Sequence, residues 1–442
     1  MKIIQGDERM SKIRWIHFSD LHLNKTGTET KRLRKKLIDY LDSMDGKFDY
    51  AFFTGDIRYA PSGDFQKDAG KEIENICNAI GLPEKHLFMV PGNHDIDRDC
   101  PEKNEVIKRM LSGKNRYKSE DGIISEKEID SLCKAKESFY RFVETVDSKW
   151  INKELLIDAK KPHYLIITED FNVIHIDSTL FYTKQRQRDF IVGTYRIQEL
   201  LEQADINKLT IIVSHYSFDF IEENERRELI ALFNDYNVDM WLAGHEHNHL
   251  VRMQHDLFYE FQAGNLLLEE GARTCFLVGE IDTDLGQGVI ESHAWFPQGG
   301  WAVYPFLSLN GPDRSKYNFN CKSQMYSFSM ENKKDSLRRK VHALLQTNRK
   351  LFEIYGPNEN NRADITSEKT ELWEQVIKSD IIPNSIKIIQ LLTENHDVLT
   401  EKDNELFVEY QAHVNGFIKN HEENGHVFDA PRFPEDMDKI LY

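Results

Sequence analysis

The stretch Leu87-Phe88-Met89-Val90-Pro91-Gly92-Asn93-His94-Asp95 constrains the fold of this chain more than any other. Its apolar run predicts a buried strand, and Pro91 and Gly92 end that strand in a tight turn. An amide, an imidazole and a carboxylate follow at once. Such a cluster at a strand end is where an α/β protein presents chemistry. Turns are rich in Asn, Asp and Gly for conformational reasons alone, so the string gains its weight from four others that share its layout.

Residues 13–19 are β-prone and run into Asp20-Leu21-His22, where alternate residues share a face and both polar side chains can point one way. Residues 31–44 carry Leu33, Leu37, Ile38 and Leu41 at helical spacing. A short apolar run at 50–54 leads directly into Gly55-Asp56. Residues 68–80 predict a helix closed by Gly81, and the strand before Asn93 follows. Further on, 163–168 and 171–176 read as a hairpin. Residues 209–214 form a strand ending on His215, and 238–243 one ending on Gly244-His245-Glu246-His247. Residues 250–262 and 273–295 alternate as antiparallel strands do. The expected fold class is α/β, a mixed sheet or two packed sheets flanked by helices, with the polar clusters along one edge.

Asp20, His22, Asp56, Asn93, His94, His215, His245 and His247 form an oxygen and nitrogen set without sulfur. It suits Mn²⁺, Fe, Ni²⁺, Co²⁺ or Zn²⁺ and is too rich in imidazole for Mg²⁺ or Ca²⁺. Eight groups exceed one tetrahedral site and suit two metals sharing a carboxylate, the arrangement used for in-line displacement at phosphorus. Asp20-Leu21-His22, Gly55-Asp56, Gly92-Asn93-His94-Asp95, His215 and Gly244-His245-Glu246-His247 stand in the order found in the calcineurin-like metallophosphoesterases, which the chain resembles over about residues 13–295. The resemblance implies a metallophosphoesterase-type sheet sandwich. It further implies one metal on Asp20, His22 and His247, a second on Asn93, His215 and His245, and Asp56 as the bridge. Mn²⁺ is the expected occupant. By the same resemblance His94 faces the scissile phosphate as general acid or charge stabiliser, oriented by Asp95. Arg58 is a candidate phosphate contact. Tyr59 has the spacing of an iron-binding tyrosinate in purple acid phosphatases, but those enzymes lack the histidine present here at His22, so Tyr59 is expected to pack. His249 and His17 are expected as loop and core histidines, and Asn265 lies where the family brings a loop back towards the metals.

The substrate is less constrained. Gly55-Asp56-Ile57-Arg58-Tyr59-Ala60 lacks the Gly-Asp-x-x-Asp-Arg-Gly of the protein phosphatases, and the Gly-His-x-His ending is closer to cyclic-nucleotide phosphodiesterases and repair exonucleases. A net charge of −17 argues against a chain coated in nucleic acid or lying on an anionic membrane, yet two tracts are locally basic. Lys184, Arg186 and Arg188 lie between Tyr182 and Phe190, and 314–350 holds ten Lys and Arg against two acidic residues. Basic groups interleaved with aromatics suit nucleic acid or nucleotides. The leading expectation is therefore a phosphodiesterase acting on nucleic acid. Cyclic-nucleotide or other small phosphoester hydrolysis is the alternative, and a binding module without chemistry is the reading from another class.

The organisation expected is a catalytic domain over 13–300 with a helical insertion at 97–160 capping the site, a linker at 301–330, and a separate all-helical domain at 331–442. The insertion carries Phe139, Phe142, Val143 and Val146 on one stripe. In the last domain Leu337, Val341, Leu344, Leu345, Leu351 and Phe352 form one stripe, and Leu406, Phe407, Tyr410, Val414, Phe417 and Ile418 another. That domain is expected to serve oligomerisation, docking of a partner protein or regulation. A compact helical extension on such a catalytic domain resembles phosphoesterases of bacterial conflict and antiviral operons. Five scattered cysteines without a CxxC pair read as reduced thiols. With no signal core and no run long enough to span a bilayer, a cytoplasmic protein without membrane contact is expected.

Overall fold

The computed structural model describes residues 12–23, 27–59, 66–112, 126–151, 161–269, 271–283, 285–306, 314–321, 330–356, 367–424 and 439–441. They fall into two compact units, Met1–Met325 and Tyr326–Tyr442.

In the first unit, strands β1 (Lys12–Phe18), β2 (Tyr50–Phe53) and β3 (Leu87–Met89) run parallel in one sheet. β10 (Cys275–Asp282) returns antiparallel beside β1, followed outward by β11 (Gln287–Phe296), which pairs with both β12 (Gly300–Tyr304) and β13 (Lys316–Asn320). The second sheet is ordered β4 (His163–Ile167), β5 (Phe171–Ile176), β6 (Leu209–Val213), β7 (Val238–Ala243), β9 (Phe258–Gln262) and β8 (Leu250–Gln254). Its four central strands are parallel, and each edge strand pairs antiparallel with its neighbour.

The side-chain period of two decides how the sheets pack. Trp15, Phe52, Phe88, Val173, Ile211 and Leu242 meet in one cluster between the sheets. Their neighbours Ile16, Phe53 and Met89 turn to the opposite face, against helices α1 (Thr28–Asp42) and α2 (Gln66–Ala79). Ile174, Ile212 and Trp241 turn outward in the other sheet, against helices Thr194–Gln203 and Glu223–Asp235. Central strands apolar on both faces are what a helix-covered parallel sheet requires. The fold is thus two mixed sheets flanked by helices.

Two features differ from the sequence reading. Residues 250–262 do form an antiparallel pair, but β9 also adds parallel to β7. The 301–330 stretch, expected as a linker, contributes β12 and β13 in its described part. Phe319, buried against Trp15 and Phe261, fixes β13 on the first sheet, and residues 307–313 and 322–329 lie outside the described residues.

The insertion is helical where described, at Pro101–Ser112, Glu126–Cys133 and Glu137–Val143; 113–125 and 152–160 lie outside the description. Its expected stripe, Phe139, Phe142, Val143 and Val146, joins the helix-side core of the first sheet. Ser138 Oγ donates to Asp95 O at 2.9 Å and Phe142 lies under the Arg58 guanidinium at 5.2 Å. The described part therefore buttresses the motif loops from the helix side.

The second unit is helical. Leu337, Val341 and Leu345 of helix Met330–Tyr355 pack on Ile388, Leu391 and Leu392 and on Leu406, Phe407, Tyr410 and Val414. Among the described residues, no helix is long and apolar enough to cross a membrane.

Candidate metal centre

The expected ligands stand on the loops after β1, β2, β3, β6 and β7, at the carboxyl ends of parallel strands. The ladder carries on past the strand ends. Asp20 N donates to Gly55 O at 3.0 Å, His22 N to Asp56 O at 2.9 Å, and Gly244 N to His215 O at 2.9 Å. Of the eleven non-glycine residues with positive φ among those described, five are expected ligands: Asp20 at 52°, His22 at 44°, Asp56 at 50°, His245 at 74° and His247 at 56°. Each costs of order 1–3 kcal/mol and persists only where the surroundings over-determine it, which is common at functional sites.

Two motif glycines are there for close approach. A Cβ on Gly92 would stand 2.1 Å from Asp56 Oδ1, and one on Gly244 would stand 1.7 Å from Ser19 Oγ and 2.8 Å from Asp20 Oδ2. Both carboxylates are thus held against backbone that admits no side chain.

Two ligand groups result, Asp20 with His22 and His247, and Asp56 with His215 and His245. Asp20 Oδ2 is tied by Ser19 Oγ at 2.6 Å and His245 N at 2.9 Å. Its Oδ1 is buried with no hydrogen-bond partner, 3.2 Å from His247 Nε2 and 3.8 Å from His22 Nε2. In the second group His215 Nδ1 donates to Thr54 O at 2.8 Å, so its Nε2 carries the lone pair. That lone pair faces Asn93 Oδ1 at 3.1 Å and Asp56 Oδ2 at 3.5 Å. Electron-pair donors converging without a proton to share repel one another unless a cation lies among them, so the second group fits a metal on this ground and the first on its donor set of one carboxylate and two imidazoles.

The electrostatics agree. Burial, which disfavours charge, holds His22 and His245 down to about 3 and lowers His215, leaving neutral imidazoles able to ligate. Burial pushes Asp56 well up, and the charges of Asp20 and Asp95 push the same way. At His247 burial lowers the pKa but is outweighed by the hydrogen bond and charge of Asp20 and by Glu269, so the net shift is upward. A bound cation would take the place of that proton.

His94 stands beside the first group, its ring 4.9 Å from that of His22. Its N donates to Asp56 Oδ1 at 2.7 Å and its Nδ1 to Tyr59 O at 2.7 Å, which leaves Nε2 as the atom available to substrate. Two expectations are corrected here. Asp95 does not orient the His94 ring; its carboxylate accepts from Ile57 N at 3.1 Å, Arg58 N at 2.9 Å and Gly92 N at 3.0 Å, pinning the two loops together. Arg58 is not placed to touch phosphate. It is fully buried, its Nε 3.5 Å from Asp95 Oδ1 and its Nη2 donating to Asp95 O at 2.6 Å. A buried guanidinium needs a buried carboxylate partner, and that need turns Arg58 inward.

The basic loop splits. Lys184 pairs with Asp99 at 2.7 Å, and Arg186 folds back on Asp189 O. Arg188 lies 4.7 Å from the centre of the Phe220 ring, and that ring abuts His245 at 5.1 Å. Tyr59 is 43% exposed, its ring 5.6 Å from that of His22. His17 bonds Thr54 Oγ1 at 2.9 Å within the core, and His249 packs on Tyr304 and Phe306.

Glu269 was not singled out in the sequence. The loop after β9 does return to the site, with Leu266 N donating to Asp20 O at 3.1 Å. Asn265 stays buried beneath it, its Nδ2 3.4 Å from Glu269 Oε2. Glu269 accepts from His247 Nδ1 at 2.8 Å, which directs His247 Nε2 towards Asp20. The only sequence signal was an acidic residue soon after Asn265. Carboxylates behind a ligating imidazole typically tune metal affinity 10–100-fold. Glu269→Gln is expected to weaken one of two metals by about that factor in a calorimetric titration; wild-type affinity at both sites would show that Glu269 does not act through His247.

A model of the calcineurin-like phosphoesterase family matches residues 13–249. An uncharacterized metallophosphoesterase-like protein of Bacillus subtilis (strain 168), YydB, is 26% identical over 298 residues, 64% of this chain and 60% of its own length. The chain thus spans about 60% of this curated relative. Among solved structures, GAP50, the anchor in the inner membrane complex of Plasmodium, is 14% identical with a TM-score of 0.41, covering 70% of this chain and 89% of its own. Wild-type Vps29 complexed with zinc, from Entamoeba histolytica, is 11% identical with a TM-score of 0.32, covering 70% of this chain and 100% of its own.

Proposed function

The chain belongs to the calcineurin-like phosphoesterases, and from that membership we propose that it is a two-metal phosphodiesterase acting on nucleic acid. One observation carries the metal reading: the motif side chains form two adjacent ligand groups, and in the second the buried His215 lone pair faces Asn93 Oδ1 and Asp56 Oδ2. Asp20, His22 and His247 would hold one ion, Asn93, His215 and His245 the other, and Asp56 would join them, with Mn²⁺ the favoured occupant. When bound, such a pair supplies an activated water and positive charge opposite the phosphate oxygens. The chain's own contribution is to hold these ligands rigidly, through Gly92, Gly244 and Asp95, and to aim His94 Nε2 at the substrate.

The nucleic-acid assignment rests on charge. A chain at −17 repels polyanions at long range, so such a substrate needs a local basic surface. Arg188, seated on Phe220 next to His245, supports one at the site. The helical second unit would serve oligomerisation or partner docking, in a cytoplasmic protein. The deciding assay is a panel of single- and double-stranded DNA, RNA, cyclic nucleotides, bis-p-nitrophenyl phosphate and p-nitrophenyl phosphate, each with Mn²⁺. Preference for the monoester would overturn the phosphodiesterase assignment. Replacing Lys184, Arg186 and Arg188 together with Ala is expected to weaken oligonucleotide cleavage and flatten its salt dependence while sparing the chromogenic diester. If both substrates fall alike, the loop is structural.

A further inference from the structure

With Arg58 buried against Asp95, the rim of the metal centre still offers one guanidinium close to where phosphate would lie. Arg98 is half-buried, three residues beyond Asp95, and its Nε donates to Asn93 O at 2.9 Å. That bond ties it to a residue whose side chain belongs to the second ligand group, since Asn93 Oδ1 faces His215 Nε2. Its positive charge acts on Asp56 of the second group, on Tyr216 beside His215 and His245, and on His94. Among the described residues no carboxylate pairs with Arg98, whereas Lys184 nearby is taken up by Asp99 and Arg58 by Asp95.

A half-buried guanidinium anchored through Nε, with its terminal nitrogens uncommitted, is unusual in a protein interior. Burial without an opposing charge is unfavourable, and an anion at the site removes that cost. The planar fork suits two oxygens of one phosphate, as a lysine ammonium does not.

We infer that Arg98 binds the non-bridging oxygens of the substrate phosphate, on the Asn93 side of the centre. Arg188, one ring away from His245 on Phe220, is then placed for a neighbouring phosphate of the same strand. The assignment rests on the phosphoesterase reading, and it takes over the role expected of Arg58.

The test uses the full chain loaded with Mn²⁺, and inorganic phosphate as the probe. Arg98→Gln retains a donor for Asn93 O but removes the fork, and Arg98→Lys retains charge without it. Calorimetry on Arg98→Gln is expected to show two bound metals, as in wild type, and phosphate binding about 10–100-fold weaker. The kcat/KM for bis-p-nitrophenyl phosphate should fall about 10²–10³-fold, as for loss of one preorganised donor. Arg98→Lys should recover part of both. Wild-type phosphate affinity in Arg98→Gln overturns the inference, as does loss of metal in both variants, which would make Arg98 a support for Asn93. If wild type binds phosphate without hydrolysing any ester, the enzymatic reading fails while the Arg98 assignment is still decided by the phosphate affinities. If loaded wild type binds no phosphate at all, both fail.

Discussion

Asp56→Asn is expected to abolish turnover and metal binding while leaving the metal-free fold at least as stable as wild type. Asp56 belongs to the second group and is the proposed bridge: its Oδ1 accepts from His94 N at 2.7 Å and its Oδ2 stands 3.5 Å from His215 Nε2. An amide keeps the shape but brings no negative charge to two cations, and its NH₂ would compete with them for lone pairs. The stability half follows from linkage. Burial first, then the charges of Asp20 and Asp95, raise the folded-state pKa of Asp56 well above its ordinary value. A carboxyl raised on folding favours the fold below its unfolded pKa, and that contribution is lost as pH rises through the folded value. An ionised carboxylate at this position therefore costs the metal-free fold stability, and a neutral amide removes that cost. Thermal unfolding with and without Mn²⁺ separates the effects. Wild type should be stabilised by the metal through mass action, whereas the variant should show no metal-dependent shift. Wild-type turnover and metal content in Asp56→Asn would falsify the bridging assignment.

His94→Ala is expected to cripple turnover with both metals retained. Its Nδ1–H is engaged by Tyr59 O, so the ring is fixed with Nε2 as its reactive atom, and no ligand group includes it. A positioned acid–base group typically contributes about 10²–10⁴-fold to rate, which sets the expected loss in kcat. Burial holds its pKa below the ordinary value, so free His94 is neutral at neutral pH; an anionic phosphate against Nε2 would pull the other way. Metal analysis beside the kinetics makes the test specific. Loss of metal in His94→Ala equal to that in His215→Ala would make His94 a ligand.

Much of the centre was legible because each ligand sits at a short, fixed offset from the end of an apolar run. Asp20, Asp56, Asn93, His215 and His245 follow strands whose β-prone residues stand within a few positions of them. Strand end and ligand are local to one another in sequence, so one pattern reports both. The helical stripes of the second unit were legible for the same reason, since Leu337, Val341 and Leu345 repeat along one helix face. The 301–330 stretch was not, because β13 is held by Phe319 packing on Trp15 and Phe261, residues far away in the chain.

What the sequence alone determined is the set of expected ligand residues, their order and the edge that carries them. Only the tertiary structure decided which neighbouring charges serve those residues. Arg58 and Arg98 are alike as residues, and each closely follows a motif aspartate in the chain, Asp56 and Asp95 respectively. One is turned inward to a buried carboxylate, and the other is tied by a single carbonyl at the rim. Glu269 reaches His247 across a loop that the sheet folds back. Such choices follow from burial: a charge out of water must find its partner in whatever the packing brings close, and that partner is set in space rather than by spacing along the chain.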